Sequence, residues 1–207
     1  MEIKSEQSME EAILEVAERL FLEKGFSLTS TTEIAKAVGC NQALVHYYFR
    51  TKDNLFNTIF EQKFRLFFQH IFELGNLNKL SFNEKLKHII ESHFDMLRAN
   101  PKLPLLIIGE FSRRPEQIDR LKEKLQGIPQ MLFEKLNTEL EAEIEAGRIR
   151  QISLLDLLFT ALSINVSLFL LLPIVSQVMA MDENQQGYLI EHRKQEHVAF
   201  ILNSIRA

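Results

Sequence analysis

The sequence predicts an all-α protein, and three observations support this fold class. Apolar residues recur at three- and four-residue spacing along most of the chain, which is the period of amphipathic helices. Glycine (7) and proline (5) are scarce among the 207 residues, which disfavours turn-rich β folds. No stretch shows the alternation of β-branched residues that is typical of strands. We therefore expect helices separated by short turns along the whole chain.

Signals for helix starts and ends are dense in the first 50 residues. An amphipathic stretch from Met9 to Phe21 is followed by Gly25, a residue that tolerates the conformation just past a helix end. Ser30 and Glu33 have the S-x-x-E spacing of a capping box, which predicts that a second helix begins here. Gly39 predicts the end of that helix.

The helices predicted after Gly39 are mostly longer and are separated by glycine or proline. A residue that precedes proline is pushed out of the helical region, so Asn100 and Arg114 are expected stops, and Gly147 and Pro173 are expected to end the two helices before them. The predicted spans are 42–48, 53–74, 82–99, 104–112, 116–147, 152–171 and 184–205.

The overall composition is that of a soluble globular protein. Lys+Arg 24 against Asp+Glu 28 gives a net charge of −4, and 46% of the residues are hydrophobic. The single cysteine, Cys40, cannot form an internal disulfide, which is typical of a reducing compartment. The acidic N-terminus does not resemble a secretory signal. These features predict a cytoplasmic protein.

One segment, Leu154 to Met181, is apolar enough to raise the question of a membrane span. Polar side chains and Pro173 interrupt it, and its longest polar-free stretch contains that proline. Helices that are apolar on nearly all sides also occur in large cores and subunit interfaces. We therefore expect a buried or interfacial helix and no membrane partner.

Motifs for catalysis and cofactor binding are absent from the sequence. There is no G-x-S-x-G, no P-loop and no G-x-G-x-x-G. None of the six histidines is paired at the H-x-x-x-H spacing that places two imidazoles on one helical face. We expect no enzymatic activity, no metal site and no cofactor.

Residues 31–49, TTEIAKAVGCNQALVHYYF, have the pattern of a helix-turn-helix. Small Ala35 lies where two helices would approach closely, and Gly39 lies where the turn needs a positive φ. In this motif the second helix enters the major groove of DNA. The apolar positions that would face the core are Ile34, Val38, Cys40, Val45 and Tyr48.

The same pattern predicts which side chains face outward. Asn and Gln can pair with base edges, a small apolar residue can contact a thymine methyl group, and Tyr can donate to phosphate. Hydroxyls and free N–H groups at the start of the supporting helix can meet a phosphate. From Ile34 to Lys52 there is no acidic residue, so an acidic protein can still present a small cationic face. The outward residues are Asn41, Gln42, Ala43, His46 and Tyr47, with Thr31, Thr32 and Lys52 beside them.

The first 55–60 residues resemble the DNA-binding domain of TetR-type transcriptional regulators. The resemblance rests on AERLFLEKGF at residues 17–26, TTEIAKAVG at 31–39 and HYYFRTKDNLF at 46–56. It implies an N-terminal three-helix DNA-binding domain over residues 1–54 and a larger helical domain for ligand binding and dimerisation over 55–207.

The resemblance also implies which residues contact DNA. They are Thr31, Thr32, Gln42, Ala43, His46, Tyr47 and Lys52. The chain departs from the family pattern at Asn41, Ala43 and His46, where serine, glycine and tyrosine are frequent, so the operator sequence stays open. Whether His46 or Cys40 has a sensing role also stays open.

A short reading helix covers few base pairs, so specific binding usually needs two half-sites and a two-fold dimer. The two last predicted helices are the candidates for the dimer interface, in agreement with the four-helix bundle that the resemblance implies. The resemblance further implies a small-molecule pocket in the middle helices. The 16 phenylalanines and six methionines suit an apolar effector, and the candidate pocket residues are Phe64, Phe68, Met96, Phe111, Met131, Phe133 and Asn165.

The leading hypothesis is a homodimeric, ligand-responsive regulator of a palindromic operator, with repression as the first reading; the sequence leaves repression and activation both open. The alternative is a helical small-molecule carrier or scaffold whose N-terminal helices only look like a reading head. Sequence-selective, salt-dependent binding to duplex DNA would distinguish the two.

Overall fold

The structure, a computed structural model, describes residues 6–73 and 80–207, and the side chains of residues 9–66 and 80–207. This part of the chain is built from helices, joined by turns and one isolated antiparallel bridge between Ile149 and Arg206. The all-α prediction is confirmed. The helices are α1 (Glu6–Lys24), α2 (Thr31–Val38), α3 (Gln42–Phe49), α4 (Lys52–Glu73), α5 (Phe82–Ala99), α6 (Leu103–Arg113), α7 (Glu116–Leu125), α8 (Ile128–Glu145), α9 (Leu154–Val178) and α10 (Glu183–Ser204).

The chain divides into two compact units. The N-terminal unit contains the residues up to Arg65 together with Leu105–Gln126, and the C-terminal unit contains Leu66–Pro104 and Gly127–Ala207. The N-terminal unit therefore includes α7 and most of α6 in addition to the first helices. The functional boundary expected after residue 54 stays a prediction.

Aromatic packing holds the N-terminal unit together. The ring centroids of Phe21, Phe26 and Phe56 lie 5.0–5.6 Å from one another, with two of the three pairs edge to face. Phe21 and Phe56 are fully buried, and aromatic pairs of this geometry contribute about 0.5–1.5 kcal/mol beyond burial. This cluster holds the start of α4 against α1 and the turn after it.

The C-terminal unit is a helical bundle of α5, α8, α9 and α10. Leu86, Leu140, Leu154 and Ile201, one from each helix, belong to the same buried cluster. Most of the cluster follows the three- and four-residue spacing that predicted these helices, because that spacing places apolar side chains on one face.

The prediction of one helix over residues 116–147 is wrong. Gln126 and Gly127 both have positive φ, at 52° and 78°, and this ends α7. Pro129 lies in the first turn of α8, where its missing N–H has no partner to lose. The chain therefore forms two helices here.

The prediction that the helix of 152–171 would stop before Pro173 is also wrong. Pro173 lies inside α9, which continues to Val178. Proline removes one backbone hydrogen bond and costs about 3 kcal/mol in a helix interior. Phe169 and Ser176 are buried on either side of it, so tertiary packing maintains the helix.

In the described part of the chain, α9 is the one helix that is long and apolar enough to cross a membrane. Core helices of soluble proteins share this length and composition. Leu157, Ala161 and Phe169 are buried on one face of α9, and apolar side chains elsewhere on the helix are exposed.

Candidate nucleic-acid interface

The supporting helix α2 is fixed at its start by Ser30. The Ser30 hydroxyl accepts a hydrogen bond from the Glu33 backbone N–H at 3.1 Å. The second half of the expected capping box is absent, because the Glu33 carboxylate accepts a hydrogen bond from the Lys24 ammonium instead. This hydrogen bond lowers the pKa of Glu33. The acidic residue of α2 is therefore paired with a cation.

The turn between α2 and α3 has the geometry that the sequence predicted. Gly39 has φ 82° and ψ 29°, and the Cys40 N–H donates to the Ala35 carbonyl at 2.9 Å. A Cβ at position 39 would meet nothing within 4 Å, so glycine is required here for its backbone conformation and not for space. Asn41 then caps α3, since its side-chain oxygen accepts from the Leu44 N–H at 2.8 Å.

Cys40 lies half-buried in this turn, as the apolar pattern predicted. Burial raises the pKa of its thiol, which keeps the sulfur protonated and weakly reactive. A redox role for Cys40 has no support in this geometry.

The reading face of α3 consists of side chains that point away from the core. Val45 is buried, whereas Tyr47 keeps 64% of its surface exposed. Thr31 is half-buried at the start of α2. The exposed members of the predicted set are Thr32, Asn41, Gln42, Ala43, His46 and Tyr47.

Three of these side chains form one hydrogen-bonded chain. The Gln42 side-chain nitrogen lies 3.0 Å from Thr31 Oγ1 and 3.2 Å from His46 Nε2. His46 Nδ1 lies 3.0 Å from the Arg50 carbonyl oxygen. The helices α2 and α3 are therefore linked across their exposed side as well as through the core.

Lys52 differs from the free phosphate-binding charge that was expected. Its ammonium donates to the carbonyl oxygens of Phe26 and Thr29, both at 2.9 Å, and lies 4.1 Å from the centroid of the Phe26 ring. The side chain thereby ties the start of α4 to the loop between α1 and α2. One of its three N–H donors remains for another partner.

Sequence reasoning missed Arg50 and Arg114. Arg50, between α3 and α4, is exposed and has φ 61°. The Arg114 guanidinium lies 3.8 Å from the Phe26 centroid and pairs with Asp53 and Glu110. Arg114 lies about 90 residues from Phe26 in the sequence, so no local spacing signal could indicate that contact.

The candidate effector residues do not converge on one described groove. Phe64 and Phe111 belong to the N-terminal unit, where the Phe111 ring lies 6.0 Å from that of Phe60. In the C-terminal unit, Met96 and Phe133 pack against buried clusters and Met131 is exposed. The Phe68 side chain lies outside the described residues.

Asn165 belongs to a buried polar network of the C-terminal unit. Its side-chain nitrogen donates to the Ile90 carbonyl at 3.0 Å and lies 3.3 Å from His93 Nδ1, and its oxygen accepts from His197 Nδ1 at 2.8 Å. The structure therefore satisfies this polar side chain internally, and a ligand is not needed to do so.

Burial sets the protonation state of the two histidines in this network. It lowers the pKa of His93 to about 4, and burial together with the charge of Arg193 lowers the pKa of His197 to about 4. Arg193 donates to His197 Nε2 at 2.9 Å, which requires that nitrogen to be an acceptor. Both imidazoles are neutral at pH 7.

The described residues contain no group of three or more His, Cys, Asp or Glu side chains placed to hold a metal ion. Two grooves lie on the C-terminal unit. The first, of about 230 Å³, runs between α9 and α10 with Leu168, Leu171 and Leu189 in its wall, and Arg193 and His197 are its basic residues. The second lies among the end of α9, the start of α10 and the residues between them.

Residues 13–59 match the family model of bacterial regulatory proteins of the tetR family. This match covers α2, α3, the turn at Gly39 and the exposed face of α3. Over these residues the chain carries a DNA-binding domain of the tetR family. It is a transcriptional regulator with a DNA-binding helix-turn-helix and not an enzyme, and the carrier alternative is set aside.

Two relatives extend the similarity beyond residues 13–59. The fatty acid metabolism regulator protein of Bacillus subtilis is 24% identical over 139 residues, which is 67% of this chain and 70% of that protein. The negative transcriptional regulator IcaR of the Staphylococcus aureus biofilm operon icaADBC is 23% identical over 142 residues, or 69% and 73% of the two chains.

A solved structure supports the fold over nearly the full length. A regulatory protein of the tetR family from Rhodococcus RHA1 has a TM-score of 0.69 at 14% identity, and the similarity covers 93% of this chain and 96% of that one. The predicted fold class, an N-terminal helix-turn-helix followed by a larger helical domain, is confirmed.

Proposed function

We propose that this regulator represses transcription in the cytoplasm by binding a palindromic operator as a homodimer, and that a small, largely apolar effector releases it. The observation that carries this proposal is the exposed polar face of α3 beside the start of α2. Gln42, His46 and Tyr47 project from that face, and Thr32 lies exposed at the start of α2. Such a face can reach base edges while its neighbours hold phosphates.

Each proposed DNA contact follows from the groups that the fold leaves available. Thr31 and Thr32 offer hydroxyls at the start of α2, and Tyr47 offers a phenolic O–H to phosphate. Asn41 uses its oxygen in the cap and keeps its NH₂ group for DNA. Ala43 is small enough to contact a thymine methyl group. Lys52 reaches phosphate only through its one remaining N–H.

The length of α3 supports a dimer. Its eight residues rise about 12 Å, which spans about three or four base pairs at 3.4 Å each. A site of that size is too short for useful specificity in a genome, so a second copy must read a second half-site. A two-fold axis then makes the operator palindromic.

We assign the dimer interface to α9 and α10. These helices leave large apolar side chains exposed on the C-terminal unit, and the groove between them is lined mainly by leucine, isoleucine and valine. The occupant is a second copy, because the reading head requires one and large exposed apolar side chains on two neighbouring helices are typical of an interaction surface. The exposed apolar residues are Leu155, Phe159, Leu171, Ile174, Val175, Val178, Tyr188 and Phe200.

An apolar effector is favoured by the phenylalanine-rich composition and by one relative's name. Within the C-terminal unit, Met96 and Phe133 are half-buried and remain the proposed lining. The Bacillus subtilis relative is named a regulator of fatty acid metabolism, so fatty acyl compounds are the first effectors to test. The effector releases DNA only if it binds the DNA-incompetent conformation more tightly.

Titration of fluorescent duplexes from the region flanking the gene tests the proposal. For one duplex, the logarithm of the binding constant should fall linearly with the logarithm of salt concentration. Binding to shuffled control duplexes should stay weak. Gln42→Ala should change base preference at one position per half-site, whereas Tyr47→Phe should weaken binding to all operator variants alike. Equal weakening of all variants by both substitutions would contradict the assigned reading face.

A further inference from the structure

The chemistry of the Arg50 carbonyl determines the tautomer of His46. A carbonyl oxygen only accepts hydrogen bonds, and it lies 3.0 Å from His46 Nδ1. Nδ1 must therefore carry a hydrogen. In a neutral imidazole the other nitrogen, Nε2, is then an acceptor.

The tautomer of His46 in turn determines the orientation of the Gln42 amide. Nε2 lies 3.2 Å from one end of that amide, and an acceptor requires the NH₂ end to face it. The same nitrogen lies 3.0 Å from Thr31 Oγ1, whose oxygen accepts the second N–H. Both donors of Gln42 are thus occupied, and its side-chain oxygen is the group left for another partner.

A strained turn holds the Arg50 carbonyl in place. Arg50 has φ 61° and ψ −52°, and the Thr51 N–H donates to the Phe49 carbonyl at 2.6 Å, which closes a γ-turn of the rare, positive-φ kind. Such backbone persists only where its surroundings maintain it, and it clusters at functional sites. Here it ends the reading helix and directs an acceptor at His46.

We infer that Gln42 reads an exocyclic amino group in the major groove, the N6 amine of adenine or the N4 amine of cytosine, through its side-chain oxygen. Those amines are the hydrogen-bond donors on the major-groove edges of the bases. Guanine O6 and N7 and thymine O4 are acceptors, and they would face the Gln42 oxygen without a hydrogen between them. Thr31 and His46 are positioning residues that hold the amide in this orientation. The inference rests on the proposed function, because it requires α3 to lie in the groove.

The first test removes the amine from the DNA. The full-length protein selects its preferred duplex from a random library, and Gln42→Ala identifies the position that Gln42 reads. Purine in place of adenine, or pyrimidin-2-one in place of cytosine, should then weaken binding roughly three- to tenfold for the unmodified protein, the net effect of one hydrogen bond. The same analogue should have no effect on Gln42→Ala.

The second test disturbs the positioning residues. Thr31→Val removes the acceptor and should broaden base preference at the Gln42 position, whereas Thr31→Ser keeps the hydroxyl and should preserve it. His46→Leu should broaden the same position. In the free protein, long-range proton–nitrogen NMR correlations at neutral pH should show hydrogen on His46 Nδ1.

Several results would overturn the inference. They are a preferred guanine or thymine at the Gln42 position, full affinity for the amine-free analogue, or a hydrogen on His46 Nε2 in the neutral ring. Failure to select any duplex is a different result, because it would refute the proposed function itself and the inference with it.

Discussion

Acidification should destabilise the C-terminal unit through His93 and His197. Burial holds the pKa of each at about 4, against 6.5 for a free histidine, with Arg193 adding its charge beside His197. Between pH 6.5 and pH 4 the unfolded chain therefore binds more protons than the folded chain. The stability that the two neutral histidines contribute is fully present above pH 6.5 and is lost as the pH falls toward 4. At 1.36 kcal/mol per pKa unit, the free energy of unfolding should fall by about 2 kcal/mol for each histidine between pH 7 and pH 5.

Urea unfolding followed by far-UV circular dichroism at fixed protein concentration measures this loss. The pKa values of carboxylates such as Glu61 and Glu143 are lowered in the folded chain, so their protonation changes stability mainly at lower pH than that of the histidines. The double variant His93→Gln, His197→Gln is the matched control and should lose less than about 1 kcal/mol over the same interval. An equal pH dependence in both proteins would refute the assignment of two buried, neutral imidazoles.

Three further predictions concern the interface, the turn and the loop anchor. Phe159→Glu, at a side chain 72% exposed on α9, should convert the dimer to a monomer in analytical ultracentrifugation. The control Met131→Glu, at a side chain 66% exposed on α8, should leave the dimer intact, and loss of the dimer in both variants would contradict the α9–α10 interface. Gly39→Ala should cost about 1 kcal/mol in urea unfolding, because alanine is strained at φ 82°; unchanged stability would argue against that turn geometry. Lys52→Ala should lower the melting temperature, because it removes two hydrogen bonds to backbone carbonyls, and should reduce the salt slope of DNA binding by about one, because it also removes a phosphate contact. An unchanged melting temperature would argue against Lys52 as the anchor of the loop.

The reading head was predictable because its signals are local. Gly39 must adopt a positive φ, Ala35 must be small, and Ile34 and Val45 must be apolar, all within 12 consecutive residues. Backbone conformation and helical period are properties of such short stretches. The structure places each of these residues as those rules require.

Long-range contacts explain what the sequence did not show. Lys52 looked like a solvated charge, but it donates to carbonyls 23 and 26 residues away. Asn165 was a candidate pocket residue, but the packing of α5 and α10 around it satisfies its oxygen and nitrogen internally.

Two helix ends were predicted wrongly from local sequence signals. Gly127 was overlooked because the helical spacing continues on both sides of it, yet its φ of 78° ends the helix. Pro173 was taken as a stop, yet burial of its neighbours outweighs the lost hydrogen bond. At Pro173, therefore, tertiary packing decides the outcome against the local signal.

Selection of duplexes from a fully random library by the full-length protein tests directly whether α3 of each protomer reads one half-site of a palindromic operator. We expect an enriched sequence with two inverted half-sites, spaced by a whole number of helical turns, and a changed base in each half-site when Gln42→Ala is used instead. Enrichment of no sequence, or of a single unrepeated site that is unaffected by Gln42→Ala, would contradict it.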